Sequence, residues 1–271
     1  MFKAILKGSV QLCLSNFDDL IKAAGAWTVV LILFSLIAQM ADFGNRAMNA
    51  QLIAQNPGKF AFFVLVSLVI QFVAASSIAV AWHRFALLGE RPATIHLRFG
   101  RPEWRYFLYS LLLGFFMAAV MLIFALVAAG FAAISTGLSA NETAAAIIAV
   151  LLMIGFVFAA PLFARASLML PAAAIDRPMG LFRALRFGKG FGWPMVFVTI
   201  VLIIPFILLD LLIMTIMVSV SAGLPQLIVI LQFVLLKGLE QIVVTILLLS
   251  VVTITYAYAR EREDAGNQPD D

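Results

Sequence analysis

Asp210, Lys237, Glu240 and Gln241 are polar side chains set in segments that are otherwise almost wholly apolar. Charges in such segments are rare and are functional candidates by default. A carboxylate beside an ammonium could pass a proton or hold a charged solute. If the chain turns back on itself at AGLP (222–225), Asp210 and Lys237 stand level and can pair. Two readings follow. One is a proton- or substrate-linked site with Glu240 as its unpaired carboxylate. The other, which weighs more, is a structural ion pair beside a Lys–Glu–Gln cluster that snorkels to the outer interface.

Other chemistry is thinly represented. His83 and His96 lack the i, i+4 spacing that puts two metal ligands on one helical face, and Cys13 has no partner at ligand spacing. The histidines read as interfacial groups beside phosphates. No Ser/His/Asp set suggests a nucleophile, and GKGFG (188–192) lacks the G-K-[ST] ending of a phosphate-binding loop. No metal, no other cofactor and no catalytic residue is therefore expected.

The elements that carry these residues follow from composition. The chain is 64% hydrophobic and 12% charged, where soluble domains are about 45–50% apolar and about 25% charged. No globular core of this size could hide that excess, so lipid must be the solvent for much of it. Blocks such as LLLGFFMAAVMLIFALVAAGFAA (111–133) are apolar all round, which excludes a barrel strand of period two. Six spans are expected, at about 20–41, 60–83, 106–133, 142–164, 194–217 and 236–257. The block from Pro225 to Ala259 would be about 52 Å long as one straight helix, against a core of ~30 Å. A break or bend is expected at LKGLEQ (236–241), with 225–236 re-entering or lying along the outer interface.

All but three of the 18 Lys+Arg fall in the N-terminal segment, in 84–105, in 165–193 and in the tail. Basic and non-basic connections alternate, so both termini and both basic loops are expected in the cytoplasm. The formal charge of +4 is thus topological and does not imply nucleic acid. Arg84, Arg91, Arg98, Arg101, Arg105, Arg165, Arg177, Arg183, Arg186 and Lys189 are the expected contacts to anionic lipid headgroups. In the first segment Lys3, Lys7, Gln11 and Ser15 recur every four residues, largely opposite Phe2, Ile5, Leu6, Val10, Cys13 and Phe17. That stripe predicts an amphipathic helix in the headgroup plane. MGLFRALRFG (179–188) sets Met179, Phe182 and Leu185 at helical spacing, with Arg183 and Arg186 facing away.

LRFG occurs at 97–100 and again at 185–188, each time followed by a basic residue and then by a tryptophan. Glu90–Arg91, Asp176–Arg177 and Glu261–Arg262 recur at nearly the same spacing. A period of roughly 88 residues that matches two spans predicts an internal repeat. The expected fold is an all-α integral membrane domain over 1–262. Its six transmembrane helices form three parallel two-span repeats (about 1–91, 92–177 and 178–262), each preceded by a cytoplasmic interfacial amphipathic helix. Residues 263–271 are expected to be a disordered cytoplasmic tail.

Tyr256-Ala-Tyr-Ala-Arg260-Glu-Arg262-Glu263 and Arg165-Ala-Ser-Leu-Met-Leu-Pro171-Ala-Ala-Ala-Ile-Asp176 carry a resemblance. They are similar to elements of bacterial six-span proteins related to the glycerophosphodiester phosphodiesterase membrane domain and the YciC-like inner-membrane proteins. The resemblance implies a bacterial inner-membrane location. The chain departs from it in carrying no phosphodiesterase domain, so that activity does not transfer. The expected function is a non-enzymatic module, an accessory or scaffold subunit that binds lipid or another membrane protein. A small transporter or proton-coupled carrier using the hairpin charges is the alternative.

Overall fold

A long apolar segment without water must satisfy its own backbone, which leaves the helix as the local solution. The computed structural model describes residues 1–40, 56–135, 141–220 and 226–266, which hold helices and no strand. In chain order these are α1 (Phe2–Ser15), α2 (Phe17–Met40), α3 (Pro57–Leu88), α4 (Arg101–Ser135), α5 (Asn141–Ala166), α6 (Met169–Ala174), α7 (Leu181–Phe187), α8 (Gly192–Val220) and α9 (Gln226–Gly266). Six stretches are long and apolar enough to cross a membrane: Phe17–Ala38, Pro57–Leu88, Arg101–Gly130, Ile148–Ala174, Gly192–Ile216 and Leu231–Ala265.

Each spanning helix packs on the next, and α9 returns to pack on α2, closing a ring in chain order. α9 also touches α1, α3, α6 and α7. The core is concentrated at one end, where the basic segments meet. In α3 the buried residues are Ala74 and Ser76 to His83, and in α8 the buried residues include Met195, Val198 and Leu202. The short α6 sits inside this end against α3, α4 and α9, with Met169, Leu168 and Ala172 fully buried. Large apolar residues further along the spans, such as Phe62, Ile123, Phe158 and Leu211, are exposed. That is the surface a helix offers to lipid.

The three basic segments take three different forms. α1 exposes Lys3, Lys7 and Gln11, but Ile5, Ser9 and Cys13 are buried. That face packs on α8 and α9 rather than on lipid alone. No helix occupies 89–100. Gly89 ends α3 in the left-handed region (φ 72°), and the residue before Pro92 is driven away from helical geometry. In the third segment α7 has seven residues. Met179 is buried but Phe182 is 77% exposed, so the expected apolar face is not shared.

The expected break at 236–241 is absent, because α9 is one continuous helix. Gly238 serves a different end: a Cβ there would stand 2.7 Å from Ile32 Cδ1, so the missing side chain lets α2 approach. Gly155 likewise allows close packing against Phe124, whereas a Cβ at Gly114 or Gly130 would meet nothing within 4 Å among the described residues. α9 continues to Gly266, so 263–266 are helical rather than part of a tail. Residues 267–271 and the AGLP turn lie outside the described residues.

Candidate functional site

Two polar regions are built by the ring, one at the basic end and one within the spans. At the basic end, α6 closes with Asp176 in the left-handed region (φ 59°), while the Arg177 N–H donates to the Ala172 carbonyl. This is the geometry of a helix stop with a left-handed residue just past the helix, and aspartate tolerates it better than most residues. The stop aims the Asp176 carboxylate at two arginines. Arg84 Nη1 and Arg105 Nη1 each donate to it at 2.8 Å. Arg84 also forks onto Glu90 with two 2.8 Å bonds and reaches the Ala174 carbonyl at 3.1 Å. The Arg84 hydrogen bond holds the Asp176 carboxyl below its usual range, helped by Arg105 and opposed by partial burial.

Segment 89–100 lies over this network. A recess of about 400 Å³ beneath it is lined by Arg84, Glu90, Arg91, His96, Arg98, Glu103 and Asp176 among others. The Gly100 N–H donates to Glu103 Oε2 at 2.7 Å, and with Pro102 in the first turn this starts α4. Burial holds the His96 imidazole below its usual pKa; Glu103 opposes that shift and Arg98 adds to it. The acidic and basic groups of this recess are nearly in balance.

The third basic segment is organised differently. Arg262 donates to the carbonyls of Lys189 and Phe187 at 3.0 Å, and its guanidinium lies 4.6 Å above the Phe191 ring centroid. Arg183 is 3.5 Å from Glu263. Arg177, Arg186 and Lys189 are exposed and make no ion pair among the described residues.

The ten expected headgroup contacts therefore divide. Arg84 and Arg105 are committed to carboxylates. Arg165 is drawn inward: its Nε is buried without a partner, close against Gly192. Arg183 has a loose partner, and Arg91, Arg98, Arg101, Arg177, Arg186 and Lys189 make no ion pair among the described residues.

Within the spans, Lys237 Nζ bonds Asp210 Oδ1, as hairpin symmetry predicts. It also donates to Glu240 Oε2 at 3.1 Å. Glu240 is thus not the unpaired carboxylate expected, since an i, i+3 spacing on one helix puts it within reach of Lys237. Gln241 stands apart, donating to Thr245 Oγ1 at 3.2 Å.

His83 corrects another expectation. It is fully buried, not interfacial, with Nδ1 2.8 Å from Thr253 Oγ1. The Thr253 hydroxyl spends its proton on the Leu249 carbonyl, so His83 Nδ1 must be the donor. Next to it, Trp82 Nε1 donates to Ser250 Oγ at 2.9 Å. These two bonds pin α3 to α9. On the same helix as His83 and Trp82, Ser77 Oγ is buried and has no hydrogen-bond partner among the described residues.

The chain matches no protein-family model, and no curated protein or solved structure is similar enough to count as a match.

Proposed function

We propose that the protein is a non-enzymatic module of a bacterial inner membrane, with both termini in the cytoplasm, that holds anionic lipid headgroups on the arginines of its basic end. The observation that carries this reading is the split among those arginines. Two are neutralised by carboxylates, while Arg177, Arg186, Arg98 and Arg101 stand exposed without an ion pair among the described residues. An exposed guanidinium at the end of a span is matched by a phosphate in shape and charge. The positive-inside rule puts that end in the cytoplasm.

Three parallel two-span repeats are part of the same proposal. A ring in which neighbours in the chain are neighbours in space is what three successive hairpins around an axis along the membrane normal would make. Kinship with the six-span family named above belongs to it too, as does an accessory or scaffold role toward another membrane protein.

The test is native mass spectrometry of the protein drawn from its own membrane in polymer nanodiscs. Retained anionic phospholipid supports the reading. A stoichiometric protein partner with no bound lipid would make the scaffold role the primary one, and neither would contradict both.

One observation favours a carrier as the second reading. Two carboxylates share one ammonium at Asp210, Lys237 and Glu240, a polar cluster within otherwise apolar spans. If that cluster carries protons or solute, the double exchange Asp210→Lys, Lys237→Asp should fold yet lose activity in a proton-flux assay. A swap that folds with full activity would sink it.

A further inference from the structure

α7 lies against the last turns of α9, and two recesses lie beside this contact. The first is a recess of about 510 Å³ whose walls include Arg186, Phe187 and Arg262. The second is a recess of about 440 Å³ whose walls include Arg177, Tyr256 and Arg260. Arg183, Phe187 and Glu263 belong to both. The two recesses together hold five arginines against two carboxylates, Glu263 and Asp264. Glu263 is 3.5 Å from Arg183 and Asp264 is 3.9 Å from Arg260, so neither acid neutralises Arg177 or Arg186.

We propose that these recesses form one site for a membrane lipid whose headgroup carries two phosphates, with Arg183 bridging them. The proposal rests on the lipid-binding reading and specifies its ligand. Among the described residues the first recess holds two arginines without an ion pair, Arg186 and the carbonyl-bound Arg262, and the second holds Arg177. A headgroup with a single phosphodiester fills one recess and leaves the arginine of the other facing water. Two phosphodiesters satisfy both. Arg262 is a fixed donor, because two backbone carbonyls and the Phe191 ring hold its guanidinium. A lipid is favoured over a soluble polyphosphate by the exposed aromatics of the same segment: Phe182, next in sequence to Arg183, is 77% exposed and Trp193 is 41% exposed, and such side chains belong in the interface.

The probe is the full chain in phosphatidylcholine vesicles that contain either diphosphatidylglycerol or phosphatidylglycerol at equal total negative charge. Lipid retained after extraction is read by native mass spectrometry. The two-phosphate lipid should be retained severalfold over the single-phosphate lipid. Arg177→Gln or Arg186→Gln should each lower retention of the two-phosphate lipid roughly fivefold, to the level of the other. Arg183→Gln should remove the preference, and Arg183→Lys, which keeps the charge, should retain part of it. Arg84→Gln, in the closed network, should leave the ratio unchanged. Equal retention of the two lipids overturns the two-phosphate site and leaves the anionic-headgroup reading standing. Retention of neither overturns both. Displacement of the lipid by inorganic pyrophosphate at equal potency would put the ligand in solution and overturn the lipid assignment.

Discussion

LRFG at 97–100 and LRFG at 185–188 have the same four residues and opposite structural roles. The first is irregular backbone whose glycine N–H is held by Glu103 just before α4 starts. The second is helical through Phe187, and its glycine closes α7. The following residues account for the difference: Arg101-Pro102 starts a helix, whereas Lys189-Gly190 turns the chain away from one, with Gly190 at φ 89°. The recesses beside the two words differ as well. Beside the first, Arg84 is closed on Glu90 and Asp176, while Arg91 and Arg98 make no ion pair among the described residues; near the third segment arginines outnumber acids, and Arg177 and Arg186 stay open. A shared word thus dictates neither a conformation nor a charge state.

The two glycines give the largest predicted contrast. A Cβ at Gly188 would stand 3.0 Å from Arg165 Cβ and 3.1 Å from its Cα. Gly188→Ala should therefore cost about 1–3 kcal/mol by overpacking. At Gly100 the nearest atom is the movable Glu103 Oε2 at 3.3 Å, so Gly100→Ala should stay within ~0.5 kcal/mol. Thermal unfolding of both variants in the same nanodisc checks this, and equal losses would mean the two words are packed alike.

The closed network gives the next effect. Arg84→Leu strands Glu90 and half of Asp176, and should cost about 1–2 kcal/mol after allowance for partial exposure. Bound lipid should not change. Arg186→Gln should do the reverse, leaving stability within ~0.5 kcal/mol and lowering bound lipid.

The smallest effect is the response to acid, which should come from the closed side. The folded pKa of His96 lies below its ordinary 6.5, so the unfolded chain takes up that proton first. Stability should fall as pH drops below about 6.5. The depressed pKa of Asp176 gives stability that is full above the ordinary 3.8 and is lost as pH falls through the lowered folded value. Melting temperatures across pH 7 to 5 should slope downward in the wild type and less in His96→Asn. An unchanged slope would mean that His96 is not the group involved.

The spans were readable because lipid as solvent leaves a compositional mark that needs no partner: length and apolarity suffice. α1 was readable from its four-residue stripe. α6 was not, since MLPAAA continues the apolar run of the fourth span and only the turn at Ser167 and Leu168 separates them. The bonds between His83 and Thr253 and between Trp82 and Ser250 depend on the register of two helices far apart in the chain, which composition does not carry. Asp210–Lys237 was readable because hairpin symmetry sets register over a short loop. The partner of Glu240 was legible too, in its i, i+3 spacing to Lys237, and was missed. The division of arginines into closed and open could not be foreseen, because it depends on where the left-handed stop at Asp176 aims one carboxylate.

The central claim is that open arginines hold lipid and closed ones do not. Its most direct test is phospholipid phosphorus bound per protein after detergent washing, in three samples: wild type, Arg84→Gln/Arg105→Gln and Arg177→Gln/Arg186→Gln. The account predicts that the first two bind equal amounts and the third loses severalfold. Equal loss in both variants, or no loss in either, would contradict it.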